Sequence, residues 1–267
     1  MAAAGPFRKR PKHVRTTNLI QPAAKLPTLP LNQMALFLDV DGTLLDIAPT
    51  PDAVVVNDEL KAVLAELFIR AGGAVALVSG RTVADLDRLF QPLRLPMAGQ
   101  HGAEWRIAAD GSTGRISTVP DRLRDLAVAL AGQHPGMLVE DKGGAVALHV
   151  RARPELEGEI AQAVERIVAD FPDYEVLHGK AVFEFRRKGV HKGAAVATLA
   201  EQPPFSGRTQ VFIGDDTTDL DAIDTVQRSG GYGLLVGPAG PLRRPHDVRT
   251  WLAGLLHSGG PSEGESP

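Results

Sequence analysis

The sequence predicts an α/β fold: a Rossmann-like parallel sheet core with helices on both faces, carrying an inserted α+β cap domain. Three observations predict it. Apolar runs of strand length, at 35–39, 73–79, 210–214 and 231–236, alternate with stretches of helical periodicity. The runs are apolar without alternation, which is the pattern of strands covered on both faces by helices. Between 106 and 186 the pattern changes to short half-buried strands and two helices.

Taken in order, residues 1–32 read as a disordered basic tail. Arg8, Lys9, Arg10, Lys12, Arg15 and Lys25 meet no acidic residue before Asp39, and the prolines of Leu26-Pro-Thr-Leu-Pro-Leu31 oppose regular structure. A secretory signal needs an apolar core of about seven residues or more, and none follows the basic group. The core domain takes 33–105 and 187–257. Its first strand, Ala35-Leu-Phe-Leu-Asp39, is broken by Gly42, and Asn57 then caps a helix to Arg70 with Leu60, Val63, Leu64, Leu67 and Phe68 on one face. The strand Gly73-Ala-Val-Ala-Leu-Val-Ser79 leads into a helix that Thr82 caps with Asp85 as partner.

The cap domain, 106–186, holds helices at Pro120–Gln133 and Pro154–Phe171. In the segment Val146 to Arg151, the apolar Val146, Leu148 and Val150 alternate with His149 and Arg151, and Phe183-Glu184-Phe185-Arg186 alternates likewise. One face of these strands packs on the cap helices and leaves the other, polar face free. Past the cap, Lys192 and Gly193 open a helix, Gln210 to Gly214 forms a strand ending in aspartates, and Gly231–Val236 is the last strand. Residues 258–267 are too poor in apolar side chains to pack and read as a second disordered tail.

The chemistry is concentrated at the strand ends. Asp39 and Asp41 are two apart, so on a strand both carboxylates point one way, to the sheet edge where open α/β sheets bind ligands. Carboxylates so close repel unless they share a proton or a cation, which points to a divalent metal, although Asp-Gly is also a common turn dipeptide. Asp215, Asp216 and Asp219 follow the glycine of a second strand at helical spacing. Helix capping explains one of them well and three poorly. Ser79 and the N–H groups behind it form a phosphate cradle or an ordinary strand end, and Lys192 opposes the dipole of the helix it opens unless an anion lies there.

In chain order these pieces resemble the haloacid dehalogenase-like phosphatases, whose four signatures are matched by Asp39-Val-Asp41-Gly42-Thr43-Leu44, Ser79, Lys192 and Gly214-Asp215-Asp216-Thr217-Thr218-Asp219. Within them the sequence is most similar to the trehalose-6-phosphate phosphatases. That similarity rests on Ser79-Gly80-Arg81, Gly99-Gln-His101-Gly102-Ala-Glu104, Glu140-Asp-Lys142-Gly143, His149-Val-Arg151, Gly179-Lys180, Glu184-Phe-Arg186 and Lys192-Gly193, and it covers about 33–240. The resemblance implies Asp39 as nucleophile and Asp41 as acid and base. It implies Thr43, Ser79 and Lys192 on the phosphate, and Mg²⁺ on Asp39, the Asp41 backbone carbonyl, Asp215 and Asp216, with Asp219 in support. It also implies Arg81, His101, Glu140, Lys142 and Glu184 on a substrate, trehalose 6-phosphate. Leu220, Ile223, Val150 and Arg187 depart from the family's usual residues, which bears on the sugar more than on the phosphatase chemistry.

Length and composition agree with such an enzyme: 267 residues with 43% hydrophobic suit one large or two modest domains. A net charge of −3 gives no case for nucleic acid or membrane as partner, and no apolar run approaches a membrane span. Cysteine is absent, which excludes disulfides and fits the cytoplasm. The expectation is a cytoplasmic monomer acting on a small molecule. Another sugar phosphate as substrate, or a sugar-phosphate sensor without catalysis, are the alternatives.

Overall fold

In the computed structural model, residues 25–47, 54–116, 118–179 and 181–257 are described. Most of the tail 1–32, all of 258–267 and Lys180 lie outside them. Residue contacts divide the chain into two compact units, Gly114–Val190 and the remainder on either side of it.

The unit outside Gly114–Val190 is built on strands β1 (Met34–Leu38), β2 (Val75–Val78), β3 (Met97–Gly99) and β4 (Glu104–Arg106), with β10 (Thr209–Gly214) and β11 (Tyr232–Leu235). They lie in the order β11-β10-β1-β2-β3-β4. The pairings from β11 to β3 are parallel, and β4 turns back antiparallel on β3. The parallel core is as the sequence predicts, and the reversal at β4 is not announced there. A three-residue strand is too short to declare itself by periodicity, and β3 and β4 are joined by a single tight turn, which suits antiparallel pairing.

Every residue of β1 and of β2 is buried, so helices cover both faces of the sheet. The helices are α1 (Asp58–Arg70), α2 (Val83–Phe90), α5 (Lys192–Ala200), α6 (Leu220–Arg228) and α7 (Pro245–His257); α1 packs on α7 and α5 on α6. Local chemistry sets their starts as the sequence predicts. The Asn57 side chain accepts the Leu60 N–H at 2.9 Å, and Thr82 Oγ1 accepts the Asp85 N–H at 3.0 Å. Leu26, Leu29 and Leu31 are partly buried against this core, and Leu31–Gln33 forms a 3₁₀ turn. The end of the segment assigned to the tail is therefore packed: its prolines prevent a helix, but its leucines still have apolar surface to remove from water.

The unit Gly114–Val190 contains the two-residue strand β5 (Gly114–Arg115), helices α3 (Asp121–Gly132) and α4 (Glu157–Ala169), and strands β6 (Leu138–Asp141), β7 (Ala145–His149), β8 (Tyr174–Gly179) and β9 (Val182–Arg187). The antiparallel sheet runs β6-β7-β9-β8. Val146, Leu148, Phe183 and Phe185 join Leu123, Ala127, Ile160 and Val164 of α3 and α4 in one apolar cluster, the arrangement the alternation predicts. The register places Glu140 opposite Ala147 and Ala147 opposite Glu184, a row on the other face.

Candidate active site

The site grows from the ends of β1, β2 and β10. Asp39 still belongs to the sheet ladder, its N–H bonded to the Ile213 carbonyl at 2.9 Å, and it is 3% exposed. The chain then folds into a turn in which the Leu44 and Leu45 N–H groups both reach the Val40 carbonyl at 2.9 Å. Gly42 makes this turn possible with φ +81°, a conformation side-chain-bearing residues rarely adopt. A Cβ at Gly42 would also stand 2.1 Å from Asp215 Oδ2, so the bare backbone is what lets Asp215 approach. Gly214 does the same for Asp219: a Cβ there would lie 2.3 Å from the Asp219 carboxyl carbon.

Lys192 unites these ends. Its ammonium, buried at the start of α5, donates to Asp39 Oδ1 and to Asp219 Oδ1, each at 2.7 Å. A lysine at a helix N-terminus is electrostatically awkward, and the two carboxylates supply the compensation. His191 caps the same helix, its Nδ1 accepting the Ala194 N–H at 3.3 Å. Asp219 Oδ2 meanwhile accepts the Asp215 N–H at 3.0 Å and the Asp216 N–H at 3.1 Å.

Carboxylate oxygens of Asp39, Asp215 and Asp219 lie within 4.8 Å of one another. Three carboxylates face one ammonium, and burial with this company shifts the proton affinities of Asp39, Asp215 and Lys192. Burial pushes the Asp39 carboxyl up to about 7 against the pull of Lys192, with Asp219 adding to the rise. Burial also raises Asp215, helped by Asp219 and Asp216. Burial opposes charge on Lys192, but Asp39 and Asp219 outweigh it and hold the ammonium above its ordinary value. A cluster of oxygen donors with surplus negative charge is the donor chemistry a hard divalent cation takes.

β1 ends at Leu38, and Asp41 lies in the turn beyond it, where it meets Arg81, whose Nε donates to Oδ2 at 2.6 Å and Nη2 to Oδ1 at 2.7 Å. One sequence expectation is redrawn here. Asp216, expected in the metal set, turns its side chain to the Thr218 N–H as the cap of the 3₁₀ turn Thr217–Asp219. Asp219 takes the third place in the cluster. Thr43 is fully buried and its hydroxyl reaches Asp215 Oδ1 at 3.4 Å.

Ser79, 1% exposed, accepts the Arg81 N–H on Oγ at 3.2 Å. The tight turn after β3 grips the same loop. Gln100 donates its N–H to the Arg81 carbonyl at 2.8 Å, and His101 donates its own to the Ser79 carbonyl at 2.9 Å. The His101 ring lies over Gly80, where a Cβ would stand 2.9 Å from Nε2. Glu104, buried at 2% exposure, accepts the Val83 N–H at 2.9 Å and so fastens the start of α2. Sequence reasoning assigned Glu104 no role of its own, because its partner, the Val83 N–H, lies 21 residues away.

Of the five residues expected on the substrate, Glu140, Lys142 and Glu184 lie in the Gly114–Val190 unit. Lys142 Nζ donates to Glu184 Oε2 at 2.7 Å, and Glu140 Oε2 pairs with His149 Nε2 at 2.9 Å. Arg186 Nε donates to Glu175 Oε1 at 2.9 Å on the same face, which therefore carries charges paired with one another.

Comparison with known proteins agrees with this arrangement. The family model described as trehalose-phosphatase matches residues 37–239. A probable trehalose-phosphate phosphatase of Sinorhizobium fredii is 46% identical over 214 residues, covering 79% of this chain and 80% of the relative. The trehalose-6-phosphate phosphatase of Escherichia coli is 40% identical over 243 residues, covering 88% and 90%. Among solved structures, the C-terminal domain of the C. albicans trehalose-6-phosphate phosphatase superimposes with a TM-score of 0.69 at 24% identity, over 85% of this chain and 92% of that one. That last likeness concerns the fold. With the family model spanning both halves of the core and everything between, the chain belongs to the trehalose-phosphatase family.

Proposed function

We propose that this chain is a Mg²⁺-dependent phosphoric monoester hydrolase that converts trehalose 6-phosphate and water to trehalose and phosphate through an aspartyl-phosphate on Asp39, the closing step of trehalose formation. The observation that carries the reading is the buried Asp39 carboxylate, fixed at a strand end by Lys192 and by the sheet ladder. A nucleophile so held is pre-oriented for in-line attack.

In the first step an Asp39 oxygen bonds to phosphorus, and the bond from phosphorus to the sugar oxygen breaks with its electron pair going to that oxygen. Asp41 supplies the proton the oxygen needs. In the second step Asp41 takes a proton from water as the water oxygen bonds to phosphorus, releasing phosphate and regenerating the Asp39 carboxylate. Ser79, Thr43 and Lys192 hold the phosphoryl oxygens while charge moves among them. Asp39, Asp215 and the Asp41 backbone carbonyl, with Asp219 beside them, would hold Mg²⁺, which when bound offsets the negative charge of the phosphoryl group. Glu140, Lys142 and Glu184 bind sugar hydroxyls, for which carboxylates and an ammonium offer acceptors and donors. His101 is a further sugar contact.

Among the described residues no helix is long and apolar enough to cross a membrane. We infer that the reaction is cytoplasmic and is carried out by a monomer.

The test is phosphate release from a panel of sugar phosphates with Mg²⁺ and with chelator, for the parent and for Asp39→Asn, with acid-quenched protein assayed for bound phosphate. Release confined to trehalose 6-phosphate, a phosphorylated parent, and silence from the variant and from the chelated enzyme are expected. Release from other sugars in preference would reject the substrate, and absence of release from all of them would reject the activity.

A further inference from the structure

We propose that Arg81 is the positioning residue for Asp41: its guanidinium fork fixes the direction of the carboxylate that serves the leaving oxygen. The inference rests on the phosphatase reading above and adds a residue whose action passes through another. Arg81 and Asp41 are 40 residues apart in sequence yet meet through two parallel bonds, of 2.6 Å and 2.7 Å. The arginine side chain is 12% exposed and the aspartate 38%. Of the two, the arginine is thus the anchored partner, and the aspartate, at a turn beyond the strand, is the one that needs holding.

The anchoring is built in depth. The Arg81 N–H is bonded to Ser79 Oγ, its carbonyl to the Gln100 N–H, and the Val83 N–H to the buried Glu104. Gln100 and His101 sit at φ +48° and +56°, left-handed backbone that non-glycine residues adopt at some cost. The chain accepts that cost where the turn closes onto the carbonyls of Ser79 and Arg81. A mobile loop has no need of such fixtures. The support given to the Arg81 backbone holds the fork in one place, and with it the direction of the Asp41 carboxylate.

An acid or base must reach its proton at a hydrogen-bond distance and in a defined direction. An aspartate released from a bidentate partner regains rotation about two side-chain bonds. A misplacement of about 1 Å in such a group costs on the order of 100-fold in rate. Lysine would not restore the arrangement, because a point charge cannot form the two parallel bonds of the fork.

The experiment compares kcat/KM for trehalose 6-phosphate, whose leaving oxygen needs a proton, with kcat/KM for p-nitrophenyl phosphate, whose nitrophenolate leaves without one. Because kcat/KM reports the steps through the first phosphoryl transfer, the later attack of water does not enter. Arg81→Ala and Arg81→Lys are each expected to lower the value for the sugar phosphate by about 100-fold while changing that for p-nitrophenyl phosphate by less than about threefold. Retained turnover of the second substrate shows the variants folded. In an Asp41→Asn background the Arg81 substitutions are expected to add no further loss. An equal fall on both substrates would make Arg81 a phosphate ligand or a structural residue and overturn the proposal. So would an unchanged value for the sugar phosphate, a rise in it, or additive losses with Asp41→Asn. Should the parent prefer a different sugar phosphate, the same comparison is made on that one. The substrate reading then fails on the parent alone, and the positioning role is judged on the variants.

Discussion

Gly42 and Asp215 are in such close approach that one methyl group between them would lie 2.1 Å from the Asp215 carboxylate oxygen. The backbone of one element of the site is thus shaped to the side chain of another, 173 positions further along the chain. Gly42→Ala is expected to drive Asp215 out of the acidic cluster and to strain a turn at φ +81°. We expect Mg²⁺ affinity to fall roughly 10–100-fold, the range seen when the supports of metal ligands are altered. Calorimetric titration of the metal into both proteins measures it, and equal affinities would refute the link.

Lys192 neutralises part of a carboxylate cluster, a role a bound cation can share. In Lys192→Met the cluster loses its ammonium, and without metal the protein is expected to lose about 3 kcal/mol, a Tm fall of roughly 6–12 °C. Addition of Mg²⁺ should raise the Tm of the variant by more than it raises that of the parent, because the cation then supplies the missing charge. Scanning calorimetry with and without chelator reads both effects. A metal-independent deficit would show that Lys192 acts through packing.

Away from the site, Arg106 is fully buried and its two terminal nitrogens each donate to Asp87 at 2.7 Å. The bond from Arg106 holds the Asp87 carboxyl below its usual value. A depressed carboxylate adds stability above its unfolded value of about 3.9 and loses it as pH falls through the folded value. Asp87 is 35% exposed, so Asp87→Asn should cost only about 2 kcal/mol at pH 7, or roughly 4–8 °C in Tm. The gap between parent and variant should narrow below pH of about 4. A gap that stays constant to pH of about 3 would rule out the charge as its source.

On the cap sheet, Glu184 is buried to 7% exposure and joined to Lys142 at 2.7 Å. Glu184→Gln is expected to raise KM for trehalose 6-phosphate about tenfold or more, as loss of a charged hydrogen-bond partner does, and to leave p-nitrophenyl phosphate untouched. Steady-state kinetics on the two substrates distinguishes sugar binding from general damage, which would depress both.

What the sequence reveals of this molecule is what short-range rules govern. Asn57 and Thr82 are legible as caps because the bond each makes closes within three residues. The alternation of Val146 and Leu148 with polar neighbours reveals which face of the cap sheet packs, since period two is a local property. The spacing of Asp215, Asp216 and Asp219 announces an acidic cluster but leaves its membership open. The choice between Asp216 and Asp219 depends on the folded 3₁₀ turn, which leaves Asp219 Oδ1 facing Lys192 and turns Asp216 to the Thr218 N–H. Arg81 with Asp41, Glu104 with the Val83 N–H, and the clearance at Gly42 join residues 40, 21 and 173 positions apart. No periodicity carries information over such separations, so these relationships emerge only when the chain is folded.

The central place of β1 has a consequence for how the molecule is made. Its neighbour on one side, β2, follows within a few tens of residues, but on the other side Met34 pairs with Thr209, roughly 170 residues later. At synthesis rates of about 5–20 residues/s, the ribosome needs roughly 10–35 s to deliver that partner. Throughout this interval five apolar residues and a row of open N–H and C=O groups stand at an unpaired strand edge, the kind of surface that seeds aggregation and draws chaperones. The hazard of this topology falls on the newborn chain, whose β1 edge stays open until β10 arrives.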